Sequence, residues 1–144
     1  SGLVWTAGSS PSIPSISPTP VLERGRLAVD DDLRLVSCAN TFALGDLSAR
    51  PGSPWPASAQ VAMQQGDATA AAIAKLRVKE EPQPFQFEDR GEMLSLGVGD
   101  ATLTGMGLTL AGPLAFQLRR ATYLTRLPGL SLGLRSAGAW LLNR

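Results

Sequence analysis

Apolar residues along this chain come in short runs, divided by proline, glycine and serine. Leu3-Val4-Trp5-Thr6 is the first run and reads as a short strand ending at Ala7-Gly8. Residues 9–20 hold Pro11, Pro14, Pro18 and Pro20 among serines, which excludes a helix interior or a central strand. This stretch is either a disordered linker or an extended crossover anchored by Ile13 and Ile16. Leu27-Ala28-Val29 then runs into Asp30-Asp31-Asp32, a strand entering a turn, and Leu33, Leu35 and Val36 continue with alternating character. Residues 41–44 predict a buried strand, taken as parallel, that ends in Gly45-Asp46.

Pro56 is a favoured first helical residue, and Ala57 to about Arg77 is Ala-rich with a single glycine, Gly66, which predicts a helix. Pro82 and Pro84 break the chain again. Met93–Leu96, Ala101–Leu103 and Leu108–Leu110 are then separated by glycine turns, as in two or three short antiparallel strands. Gly97-Val98-Gly99 is no dinucleotide fingerprint, because Thr102 stands where the third glycine belongs and no helix follows. Residues 113–126 predict a helix with Leu114, Leu118, Ala121 and Leu124-Thr125 on one face. Residues 130–142 predict a second, with Leu130, Leu134, Ala137 and Leu141 in a stripe.

Composition narrows the chemistry. The 144 residues suffice for a real core, with 44% hydrophobic and 17% charged positions. The net charge of +1 gives no general affinity for nucleic acid. Residues 1–100 hold 8 Lys/Arg against 12 Asp/Glu, whereas residues 101–144 hold five arginines and no acid, the pattern of a basic, surface-seeking tail. With no histidine, neither a Ser-His-Asp triad nor a His-based metal site is possible within the chain. A single cysteine, Cys38, excludes an intrachain disulfide and reads as a small buried or half-buried thiol. No run reaches the ~18 apolar residues of a membrane-spanning helix. A chain opening on an apolar run, without Met or a basic leader, reads as a piece of a longer one.

An aspartate at the carboxyl edge of a sheet can accept hydrogen bonds from ribose or ribityl hydroxyls, and a preceding glycine allows close backbone approach. A helix starting nearby directs free N–H groups and its positive dipole end to the same edge. Gln60 and Gln64, four apart, share a helix face where neutral amides could meet a quinone carbonyl. By residue type alone, an ordinary solvent-facing polar stripe, with Asp46 as a turn residue, is the favoured account of them.

The stretch "TFALGDLSA…PWPASAQVAMQQG" resembles the second flavin-binding motif of flavoproteins with two dinucleotide-binding domains, in the form seen in type II (alternative) NAD(P)H:quinone oxidoreductases. LVWTAGSSP is similar to the end of that family's NADH domain, and residues 91–128 resemble its C-terminal module, nearest to the cyanobacterial and plastid demethylphylloquinone reductase branch. The resemblance implies an α/β fold, the C-terminal part of such a flavoprotein, with a short β-hairpin region and C-terminal amphipathic helices. Residues 1–20 would end the NADH-binding domain and cross over, 21–80 would complete the FAD-binding domain, and 81–144 would form a membrane-associating module. FAD and NAD(P)H are the implied cofactors. Gly45 and Asp46 would hold the flavin ribityl–phosphate region, Ala57, Ser58 and Ala59 would face its ring, and Gly8 would lie near the nicotinamide nucleotide. Gln60 and Gln64 would line the quinone channel; Met63 departs from relatives that carry a polar residue there.

The tail's Phe116, Arg119, Arg120, Tyr123, Arg126 and Trp140 would contact a membrane surface, as a substrate quinone dissolved in the bilayer requires. The implied location is peripheral, on a plastid thylakoid or cyanobacterial membrane. Two rivals are a structural or membrane-docking subunit and a sulfide:quinone oxidoreductase; the latter needs redox cysteines, which Cys38 alone does not provide. The Gly-rich flavin fingerprint and most of the NADH domain are not in these residues: either they reside in a separate chain, an N-terminal portion carrying the rest of both sites, or they are missing. The 144 residues alone are therefore expected not to retain FAD; stoichiometric flavin absorbance on the isolated, purified chain would contradict this.

Overall fold

The computed structural model describes every residue except Ser1, Ala7, Ser9, Asn143 and Arg144. The chain divides into two compact units, Ser1–Glu88 and Asp89–Arg144. The first is built on a tight hairpin. β1 (Leu22–Glu23) and β2 (Arg26–Ala28) pair antiparallel, Leu22 opposite Leu27 and Glu23 opposite Arg26. Arg24 and Gly25 between them both have positive φ (50° and 76°), the geometry whose twist matches that of paired strands.

After β2 the chain turns at the three aspartates. One carboxylate oxygen of Asp30 accepts the N–H groups of Asp32 (3.0 Å) and Arg34 (2.9 Å), and Leu33 takes a φ of 67°. The turn sends β3 (Arg34–Leu35) back alongside Val29, which bridges to Leu35. β3 then pairs antiparallel with β4 (Cys38–Phe42). The predicted parallel strand over 41–44 is thus displaced and reversed in pairing, because the Asp30 turn places β3 beside it. Parallel pairing occurs instead between β2 and β5 (Ser48–Ala49), with Leu27 opposite Ser48 and Ala28 opposite Ala49.

The core of this unit is Leu27, Val29, Leu33, Leu35, Ala43 and Phe85. Ile13 and Ile16 pack against it, so the proline-rich stretch is an anchored crossover rather than a linker. Residues 2–6 form no strand: no described segment pairs with them, and Trp5 is 79% exposed.

Helix α1 (Ala59–Arg77) starts two residues later than predicted. Ser58 is its N-cap, its hydroxyl accepting the Val61 N–H at 3.2 Å, and this stronger cap leaves Pro56 outside the helix. Its far end closes with Lys79 at φ 61°, where Lys79 N–H reaches Leu76 O and Glu80 N–H reaches Lys75 O, satisfying carbonyls the helix leaves open. Beyond it the chain returns over the core, with Phe85 N–H on Asp31 O at 2.8 Å.

The second unit is a three-stranded meander, β6 (Glu92–Gly97), β7 (Asp100–Gly105) and β8 (Leu108–Ala111), followed by α2 (Pro113–Thr125) and α3 (Leu130–Leu142). Glycine serves in both hairpin turns, as predicted; Met106 and Gly107 have φ of 50° and 77°. Pro113 opens α2, whose Ala115 is fully buried, as is Ala101 on β7. Along α2, Phe116, Arg119, Arg120, Thr122 and Leu124 are half-buried, so of the predicted face only Leu124 is covered, while Leu114, Leu118, Ala121 and Thr125 are exposed. The helix packs on β7, where Ala115 is buried. The predicted stripe of α3 is likewise outward at Leu130, Leu134 and Leu141.

Leu27 is enclosed on all sides, so Leu27→Ala should cost about 2–5 kcal/mol, read as a lower urea midpoint. A midpoint like that of the parent chain would contradict this core assignment.

Candidate functional site

Gly45-Asp46-Leu47 forms a single 3-10 turn between β4 and β5. Gly45 has a φ of 67°, open to glycine at little cost, and a Cβ there would lie 3.4 Å from the Ala62 Cβ of α1. The turn is fastened from both directions. Gly45 N–H donates to Gln65 Oε1 at 2.7 Å, and Ser48 donates to Gly45 O through its N–H and through Oγ at 3.2 Å. Gln65 is 1% exposed, so this is a buried amide oxygen taking a backbone proton. The Asp46 side chain stays exposed at the surface.

The loop after β5 is ordered by one guanidinium. Arg50 reaches Asp31 at 3.2 Å, Ser53 O at 3.1 Å and Ser53 Oγ at 3.2 Å, and stacks 4.8 Å from the Trp55 ring. Trp55 meets Phe85 edge-on, with centroids 5.3 Å apart. The folded loop delivers exposed Ala57, half-buried Ser58 and exposed Ala59 to the start of α1. The helix's leading N–H groups and positive dipole end therefore emerge within one to two turns of the residues that seat Gly45.

Ala62 and Gln65 carry that contact, and the buried stripe of α1 is Val61, Gln65, Thr69 and Ala72. Gln60 and Gln64 lie around the helix from it; at helical spacing Gln60 is about 160° from Ala62. Gln64 points to the returning segment: its Nε2 donates to Glu88 O at 2.8 Å, and its Oε1 accepts Glu88 N–H at 3.0 Å. Gln60 is half-buried. Sequence reasoning singled out Gln60 and Gln64 but missed Gln65. The signal was present, since Val61, Gln65, Thr69 and Ala72 recur at helical spacing on one face.

The remaining candidates lie elsewhere. Gly8 is exposed, with no atom within 4 Å of where a Cβ would stand. In the second unit Arg120 is clamped between Phe116 (5.6 Å) and Trp140 (4.3 Å), which joins α2 to α3. Arg119 (4.7 Å) and Arg126 (5.9 Å) both face Tyr123. Cys38 is a half-buried thiol, as expected; its Sγ lies 3.3 Å from Thr41 Oγ1. That contact, followed by the Asn40 backbone, holds its pKa below the ordinary thiol value.

Two outcomes follow from these bonds. Gln65→Ala strands the Gly45 N–H and should destabilise the chain by about 1–3 kcal/mol in urea unfolding, whereas an unchanged midpoint would mean the bond does not hold the turn. Thr41→Val should slow iodoacetamide labelling of Cys38 at neutral pH, since less thiolate is then present; an unchanged rate would discount the hydroxyl contact.

No family model matches the chain. Curated proteins do. It is 36% identical over 137 residues to an alternative NAD(P)H-ubiquinone oxidoreductase C1, chloroplastic/mitochondrial, of Arabidopsis thaliana, covering 88% of this chain and 26% of that protein. It is 35% identical over 154 residues to the demethylphylloquinone reductase NdbB of a Synechocystis strain, covering 98% of this chain and 38% of that protein. With a type II NADH:quinone oxidoreductase of Staphylococcus epidermidis it shares 36% identity over 121 residues, 81% of this chain and 30% of that protein. The chain thus spans between about a quarter and two fifths of the length of these relatives. Over most of its own length it is homologous to the type II, or alternative, NAD(P)H:quinone oxidoreductases and corresponds to a C-terminal portion of them.

Proposed function

We propose that this chain is the C-terminal part of an FAD-dependent oxidoreductase that passes electrons from NAD(P)H to a membrane prenylquinone. The observation that carries the reading is the Gly45-Asp46 turn, held against α1 by the buried Gln65 near the helix start. That donor set suits one wall of a flavin site: an exposed carboxylate for ribityl hydroxyls, a glycine for close approach, and a helix N-terminus for the electron-rich end of the ring. When bound, FAD supplies the two-electron relay between nicotinamide and quinone. Asp46 would orient the ribityl–phosphate arm, and Ala57, Ser58 and Ala59 would let the ring approach the backbone. Gln60 would offer its amide to the quinone carbonyl, with Gln64 beside it turned towards Glu88. Gly8 would stand near the nicotinamide nucleotide, and an N-terminal portion would supply the rest of both cofactor sites.

Peripheral attachment to a plastid or cyanobacterial membrane completes the proposal. No helix of the described residues is long and apolar enough to cross a membrane. Leu114 and Leu118 of α2 and Leu130, Leu134 and Leu141 of α3 are nonetheless turned outward, Leu114 at 62% and Leu130 at 88% exposure, on helices carrying arginines and no acid. An outward apolar face with a basic complement suits a headgroup layer, Phe116, Tyr123 and Trp140 sitting at its boundary with Arg119, Arg120 and Arg126. The same faces favour a second reading, a membrane-docking subunit without catalysis.

In the full-length protein, Asp46→Ala should release FAD, read as lost flavin absorbance after gel filtration; full retention would contradict the assigned role. Flotation should recover the parent protein with anionic liposomes and less of it with neutral ones. Recovery in the soluble fraction with both would remove the membrane reading while leaving the flavin reading to its own test.

A further inference from the structure

Within the second unit, α2 and α3 enclose a cleft of about 230 Å³. Gln117, Arg120, Ala121 and Leu124 line it from α2, and Ala137 and Trp140 from α3. At helical spacing Gln117, Arg120 and Leu124 share one face, so a polar turn of α2 is followed by an apolar one. The Arg120 guanidinium lies 4.3 Å from the Trp140 ring and 5.6 Å from the Phe116 ring. Contact with an aromatic ring engages the face of a guanidinium and leaves the N–H groups at its edge for an anion. Among the described residues no carboxylate pairs with Arg120, and from Ala101 onward the chain has no Asp or Glu. Arg120 is therefore a half-buried cation without a counter-ion, beside an exposed amide, Gln117.

Size and surroundings narrow the choice of anion. Sites for drug-sized ligands run ~300–1,000 Å³, so the cleft is too small for a flavin, a dinucleotide or a prenylquinone and suits one small charged group. Leu118, Leu134 and Leu141 are exposed on the same two helices, surroundings that suit acyl chains better than a dissolved ion.

We infer that the cleft is a discrete site for the phosphate group of an anionic phospholipid. Arg120 donates its paired N–H groups to two phosphate oxygens, Gln117 donates its amide N–H to the same group, and the lipid's apolar part runs along Ala121, Leu124 and Ala137. The inference rests on the membrane reading of α2 and α3 and sharpens it. Attachment is to one headgroup through a guanidinium held by two rings, rather than to bulk negative charge through any arginine.

Vesicle binding by the full-length protein tests this, on phosphatidylcholine vesicles containing phosphatidylglycerol. Arg120→Lys keeps the charge but not the two-pronged donor; Gln117→Leu leaves Arg120 and its ring contacts in place. Affinity should fall about 10-fold in the first and about 3-fold in the second, as for loss of a charge-assisted and an ordinary hydrogen bond. Arg135→Lys, exposed on α3 and outside the cleft, should bind as the parent does. Inorganic phosphate matched to the lipid concentration should not displace the parent protein; displacement would overturn the lipid assignment in favour of a dissolved ion. Equal affinities for the parent and all three variants, with the parent still bound, would overturn the site and leave the membrane reading standing. A parent protein that binds none of the vesicles would remove both.

Discussion

One hydrogen bond, from the half-buried Gly45 N–H to the amide oxygen of buried Gln65, ties the Gly45-Asp46 turn to the longest helix of the described residues. Left without an acceptor, a backbone N–H shielded from water costs about 1–3 kcal/mol, a sizeable fraction of a small domain's stability. The bond dictates its surroundings. Gly45 takes a positive φ that glycine adopts with least strain, beside Ala62, and Gln65 faces inward with Val61, Thr69 and Ala72. Asp46, next in the chain, is thereby held at the surface close to the start of α1. Arg50, stacked on Trp55 and paired with Asp31, shapes the loop that joins this turn to the helix start.

The amides of α1 are therefore not equivalent. Gln65 seats the Asp46 turn, Gln64 pairs with Glu88 on another flank, and Gln60 lies half-buried in the first turn. An otherwise Ala-rich helix uses polar side chains because it must bond to backbone groups that no strand reaches. The proposed flavin wall needs the first of these contacts, and the proposed quinone contact needs the third. In the second unit, arginines on aromatic faces join elements in a comparable way. Arg120, between Phe116 and Trp140, ties α2 to α3 without a carboxylate.

What the sequence made legible follows the range of the forces involved. The span of α1, the meander β6–β8 and both C-terminal helices are written in local signals: alanine content, glycine turns, Pro113. Ser58 took the cap from Pro56 because a hydroxyl acceptor outweighs a favourable φ. The pairing of β4 was not legible, since it depends on an Asp30-capped turn ten residues upstream. Nor was the orientation of α2, which buries Ala115 where it packs on β7 and leaves Leu114 and Leu118 exposed. Leu3, Val4 and Trp5 read as a strand by type, yet no described segment pairs with them. Among the candidate residues, Gly45-Asp46 and Ser58–Gln60 were singled out, but Gln65 was passed over as one more polar residue when its spacing placed it on the buried stripe.

The most direct measurement of the central claim is hydrogen exchange on the full-length protein with and without saturating FAD. If the Asp46 turn and the start of α1 form one wall of the flavin site, residues 44–48 and 57–62 should both become slower to exchange when flavin is present. Protection elsewhere, with neither segment altered, would contradict it.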